Sequence, residues 1–206
     1  MTGSREFGPF EDICRTGGYL SLLGMGSADA VGVLRTIADV VRNTADYSSY
    51  VQRLLADRNW RGHLIALTAA VVSPEPAQHA STLWGAFDRG SWVAPQLAVA
   101  LLWADPSFLA EARRRIVGRC PIVDDDSFFH GDTRDVSAKN LASVLRVVAS
   151  VPSETNWVAS ELRMHDVQDL LKSDRDSAGA IVESWLDQAR MRFKESGYPV
   201  EPLNRR

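Results

Sequence analysis

The chain has 206 residues, of which 45% are hydrophobic and 24% charged, with a formal net charge of −3. That balance predicts a folded domain and excludes wholesale disorder. A mild negative charge gives no surplus of Lys and Arg to displace counterions from phosphates, so nucleic acid is not an expected partner, and no polybasic patch for a membrane surface is present.

The only cysteines are Cys14 and Cys120. They lie far apart without CxxC spacing, which predicts two buried thiols in a reducing compartment rather than a disulfide scaffold. The first residues, MTGSREFGPFEDIC, place no apolar run behind a basic one, so no signal peptide is expected. No apolar run approaches the roughly 18 residues of a membrane span. The expected location is cytoplasmic.

Residues 1–26 read as a partly flexible lead-in. Within and beyond it, GMGSADAVG from Gly24 resembles a phosphate-binding turn, but Asp29 stands where the third glycine would be and no Lys follows. The expected role is a lead-in to a capped helix. Ser27 caps that helix, which runs to about Asn43 with Val31, Leu34, Ile37, Ala38 and Val41 on one side.

Next, the chain repeats itself. DRNWRGHLIALTAAVVSPEP begins at Asp57 and DRGSWVAPQLAVALLWADPS at Asp88. A slide of 32 positions puts Trp60 on Trp92, Ala66 on Ala98 and Pro74 on Pro106, with Val51 and Leu55 falling on Leu83 and Phe87. A period in the thirties marks a stacked two-helix unit. In the first copy Leu64, Leu67, Thr68, Val71 and Val72 form a helical face; in the second Val93, Leu97, Leu101 and Leu102 do so, with Ser91 as N-cap and Pro95 in the first turn. Pro74 and Pro106 end the units. Residues 106–118 then predict a further helix with Phe108, Ala112 and Ile116 in register.

The stretch 121–136 breaks the period and reads as a long acidic loop. SAKNLASVLRVVASV resumes as a helix with Leu141, Val144, Leu145 and Val148 inward. SETNWVASELRMHDVQDLLKS follows, and the last helix places Ile181, Trp185, Ala189 and Phe193 on one face before Gly197 and Pro199. No sustained period-two alternation occurs. The fold expected is all-α: a short α-solenoid of antiparallel helix pairs, about nine helices, forming one domain over 27–197 with a tail at 198–206.

Tandem helix pairs with Asp-Arg before the second helix and Pro at the unit boundary resemble HEAT or armadillo-type α-solenoids. The resemblance covers roughly Asp46 to Gly118 well and Ser137 to Gly197 only by helix pattern. It implies an architecture and no particular function, since such arrays include scaffolds, inhibitors and a few enzymes.

The acidic loop carries the candidate site. Asp124, Asp125, Asp126, His130, Asp132 and Asp135 surround Phe128 and Phe129. Carboxylates and an imidazole suit hard cations, but the spacing lacks the alternate ligands, central glycine and closing glutamate of an EF-hand. No metal or cofactor is expected. In the plainest reading the aspartates answer Arg113, Arg114, Arg115 and Arg119. Two adjacent phenylalanines are costly to leave wet, however, so Asp124, Asp125, Asp126, Phe128, Phe129, His130 and Asp132 are assigned to recognition of a protein partner of basic character.

His63, His79, His130 and His165 share no metal-ligand spacing, and no serine or cysteine has a catalytic signature. Trp60 and Trp92, at repeated positions, are expected in the core between units. The function expected is a non-enzymatic interaction module. A specific form is the immunity or antitoxin type, an acidic protein that occludes a toxic enzyme's basic active site. The alternatives are a metal-dependent hydrolase using the acidic loop and a nucleic-acid-binding solenoid of the base-excision type.

Overall fold

The computed structural model describes residues 7–123, 133–198 and 200. Every regular element among them is helical: α1 (Glu11–Arg15), α2 (Tyr19–Gly24), α3 (Asp29–Asn43), α4 (Tyr47–Ala56), α5 (Trp60–Val72), α6 (Ala80–Asp88), α7 (Ala94–Ala104), α8 (Phe108–Val117), α9 (Thr133–Ala149), α10 (Thr155–Glu161), α11 (His165–Leu171) and α12 (Ala178–Glu195). The all-α reading stands, but twelve α-helices replace the expected nine or so.

Two places account for the excess. In the stretch read as a lead-in, α1 and α2 bury Ile13 and Leu22 and are flanked by buried Phe10 and Met25. Further on, the 153–173 stretch divides into α10 and α11, with Met164 extended between them. The break lets Glu161 and Asp166, from different helices, both reach Arg119.

The ends of α5 and α7 are built alike. Ser73 and Asp105 follow α5 and α7 in extended conformation. The Ser73 side chain accepts from the Glu75 N–H at 3.1 Å, and Asp105 accepts from the Ser107 N–H at 2.8 Å. Each side chain thus turns the backbone around the following proline. Val51, Leu55, Leu83 and Phe87 are all fully buried, as are Ala66 and Ala98. Ser27 Oγ accepts from the Asp29 N–H at the start of α3, but the N-cap position is Ala28, one residue beyond the expected Ser27.

All eleven residues of α7 are buried, as are eleven consecutive residues of α5. Helices without a polar stripe must be surrounded. Here α7 packs on α5, α6, α9 and α12, while α12 also meets α2, α3 and α9. At the C-terminus of α6, Gly90 takes the left-handed conformation (φ +79°), and the Ser91 and Gly90 N–H groups donate back to Ala86 and Phe87. Glycine is required twice over there, because a Cβ would also collide with Val136 of α9.

Arg115 is the most heavily paired of the buried charged groups. Arg115 forks onto both carboxylate oxygens of Asp88 at 2.7 Å, reaches Glu111 at 2.6 Å and lies 3.7 Å over the Trp84 ring, whose Nε1–H donates to Asp105. Burial works against the guanidinium charge, but Asp88 and Glu111 outweigh it and raise its pKa above the ordinary value. Asp88→Ala would leave Arg115 charged and partly stranded. The expected cost is about 3 kcal/mol, the lower end for breaking a buried pair, measured as a shift in the urea midpoint. The double change Arg115→Met with Asp88→Leu is expected to recover most of it.

Two histidines are buried in neutral form. His63 Nε2–H donates to the Asp57 carbonyl and Nδ1 accepts from Ser91 Oγ, both at 2.7 Å, tying α5 to the segment before α7. Neither ring nitrogen of His79 has a hydrogen-bond partner. Burial pushes both residues below the ordinary histidine value of 6.5, with the Arg89 charge adding to the effect at His63. As pH falls through 6.5 the unfolded chain binds protons at these sites before the folded one does. Their contribution to stability is therefore complete above that pH and is lost below it. Urea unfolding at pH 7, 6 and 5 should show falling stability, with a shallower slope for His79→Leu.

Candidate binding site

Asp124, Asp125, Asp126, Phe128, Phe129, His130 and Asp132, the residues assigned to recognition from sequence, lie outside the described residues. What is described is the frame on either side. The Val123 N–H donates to the Asp88 carbonyl, and Ser137 Oγ donates to the carbonyls of Arg119 and Cys120. The four arginines expected to answer the aspartates have other partners: Arg113 pairs with Glu154, Arg114 with Glu111, Arg115 with Asp88 and Glu111, and Arg119 with Asp166 and Glu161.

The tryptophans correct the sequence reading more sharply. Trp60 is half-buried and Trp92 is 46% exposed. Instead of occupying separate inter-unit sites in the core, the two rings touch, with centroids 4.8 Å apart and planes at 55°. The reason is their place at the helix starts. Trp60 is the first residue of α5, and Trp92 lies two residues before α7 begins at Ala94. A side chain at a helix start leans back past the N-terminal end and leaves the packed interior. The repeat equivalence therefore brings both indoles to one rim. Tyr19 of α2 completes the group, edge-on to Trp60 at 5.6 Å. Arg61 Nε–H donates to the Tyr19 hydroxyl at 2.9 Å while its guanidinium lies 5.2 Å from the Trp60 ring.

Beside this rim opens a cleft of about 510 Å³, bounded by the end of α2, the start of α7, Lys139 of α9 and the N-terminal half of α12. Leu23, Val93, Pro95, Ile181 and Trp185 give it apolar walls, and Trp92 stands at its edge. Ile181, assigned to the core from sequence, is half-buried there, while Val182 beside it is fully buried. The walls are held firmly. Gln96 donates to the Leu23 carbonyl and Trp185 Nε1–H to that of Leu22, both at 2.9 Å, pinning α7 and α12 to α2.

Among the described residues one cation lines the cleft. Lys139 of α9 is only 7% exposed, yet its ammonium meets the Asp176 carboxylate at 2.7 Å and lies 5.2 Å from the Trp92 ring. Asp176 precedes α12, in a turn where Ser177 adopts the left-handed conformation (φ +51°) and Asp174 accepts from the Ala178 N–H. Burial raises the Asp174 carboxyl above its ordinary range, and one of its oxygens has no hydrogen-bond partner.

Elsewhere the reactive side chains are quiet. Cys120 is buried, and burial pushes its thiol up to about 12, which suppresses the thiolate. Cys14 is half-buried, and His165 is an exposed partner of Asp169. Among the described residues no group of three or more His, Cys, Asp or Glu is placed to hold a metal ion, and no helix is long and apolar enough to cross a membrane.

Comparison of the chain with family profiles, curated proteins and solved structures gives no match.

The geometry separates two tryptophans that share a wall of the cleft. Trp185 is 1% exposed and hydrogen-bonded, so Trp185→Ala is expected to cost about 3–5 kcal/mol. Trp92→Ala removes a ring that already faces water and should cost about 1 kcal/mol or less. Paired urea denaturation curves measure the difference.

Proposed function

We propose that the chain is a non-enzymatic protein-interaction module that engages its partner through the Tyr19–Trp60–Trp92 rim. The observation that carries this reading is Trp92, held nearly half in water against a second tryptophan at the mouth of an apolar cleft. A ring in that position contributes little to folding, but it offers a large, nearly rigid surface at small entropic cost, as interface anchors do. Arg61 holds two of the three rings from one side, which limits what must be ordered on binding.

The tandem units support a HEAT-like stack of antiparallel helix pairs as the body that presents this rim, with Ser73 and Asp105 making matching turns at the unit ends. The partner is a basic protein. The net charge of −3 and the aspartates at 124–126 favour its approach, and the aromatic rim supplies the contact that holds it. An immunity or antitoxin role is the specific form that acidity and size suit.

Affinity capture from a native lysate, followed by titration of the captured partner, tests the reading. Trp92→Ala should weaken the complex at least about tenfold, mainly through faster dissociation, while leaving the circular dichroism spectrum intact. Neutralising Asp124, Asp125 and Asp126 together should slow association and flatten its salt dependence. A partner that binds the Trp92→Ala chain as tightly as the native one would overturn the rim as the docking surface.

A further inference from the structure

The cleft beside the rim has the features of a small-molecule site, independent of any protein partner. Its volume of about 510 Å³ falls within the range of ligand pockets, roughly 300–1,000 Å³, and its walls are mainly apolar. A ligand of matching shape would bury an apolar body against Leu23, Val93, Ile181 and Trp185. What fixes its polar end is Lys139.

The two members of the Lys139–Asp176 pair are placed unequally. The Lys139 side chain is 9% exposed, whereas the Asp176 side chain is 51% exposed. A buried ammonium needs an anion beside it, because removing its partner leaves an uncompensated charge out of water. A half-exposed carboxylate has no such need, since water solvates it when it swings away. The demand at the cleft wall is therefore for an anion on Lys139, and Asp176 is the replaceable member. Lys139 also carries more than one N–H donor, so an incoming oxygen finds one before Asp176 departs. The Trp92 face next to the ammonium favours the cation in either state.

We propose that the cleft binds an apolar monocarboxylate whose carboxylate takes the place of Asp176 on Lys139. A single carboxylate is specified because Lys139 is the one cation among the described residues that line the cleft. The rest of the ligand is hydrocarbon because the remaining walls are mainly apolar, with Gln96 committed to the Leu23 carbonyl.

The test uses the full chain and dodecanoate below its micelle-forming concentration, followed by calorimetry and by tryptophan fluorescence. Dodecanol and dodecylammonium serve as neutral and cationic counterparts of equal length. Expected are saturable one-to-one binding of dodecanoate, much weaker binding of dodecanol, and none of dodecylammonium. Lys139→Met keeps the length and apolar character of the side chain, so the fold should survive, as thermal unfolding will report. Its affinity for dodecanoate should fall about tenfold or more, to the level of dodecanol. Asp176→Ala removes the internal competitor and should tighten dodecanoate binding about tenfold. Absence of saturation, equal binding by Lys139→Met, weaker or unchanged binding by Asp176→Ala, or a preference for dodecylammonium would each overturn the proposal. None of these outcomes bears on the protein-partner reading, which is decided by Trp92→Ala and the captured protein.

Discussion

A helix with no face in water has to be enclosed, and α7 imposes that condition on the rest of the chain. APQLAVALLWA offers no polar stripe, and its one amide, Gln96, spends its donor on the α2 backbone. Stacking consecutive helices supplies α5, α6 and α9 as neighbours. The remaining side is closed by α12, a helix more than seventy residues away in sequence. Enclosing α7 therefore fixes where α12 must lie as well as how the middle helices stack. Trp185 of α12 packs on Trp103 of α7, and its indole N–H ties it to α2 as well.

The same closure creates the cleft. α12 packs against α7. The opening between them is lined by residues from both ends, Trp92 to Gln96 and Asp176 to Trp185. Pro95 contributes to this: without an N–H it suits the first turn and sets the start of α7 two residues beyond Trp92. The indole is then left on loop backbone, outside the packed helix. A site at the ends of enclosed helices is thus a by-product of enclosing them.

Helix positions were legible because they depend on local period and punctuation. Pro74 and Pro106 follow the C-caps Ser73 and Asp105, and Gly197 takes the left-handed conformation beyond α12, whereas the N-caps of α3 and α7 are Ala28 and Val93 instead of the expected Ser27 and Ser91. What local pattern cannot supply is direction at helix starts. Trp60 and Trp92 share a repeat position, and equivalence suggested core, yet the position itself lies on a rim. The division of α10 from α11 was hidden for a related reason, since it answers to Arg119 from another part of the chain. The cleft had left a faint trace: Lys139, Asn140 and Ser143 are polar residues on the buried side of α9, among Leu141, Val144 and Leu145. Asn140 answers to the Phe87 carbonyl and Ser143 to its own helix, so Lys139 alone of the three points to a surface feature.

Two buried cations, each set against an indole, show why similar chemistry serves different ends. Arg115 lies over Trp84, a buried ring, and is clasped by two carboxylates with a planar fork that fixes their geometry. Asp88 reaches it from the end of α6, and Glu111 from one turn back on α8. Lys139 lies near Trp92, an exposed ring, and holds one carboxylate from a turn at the surface. Its ammonium has no preferred plane and more donors than its partner uses, and an apolar cleft opens alongside. The first arrangement is closed and belongs to the core. The second keeps the charge buried while leaving its counter-ion free to change, which is the condition a binding site needs and a core does not.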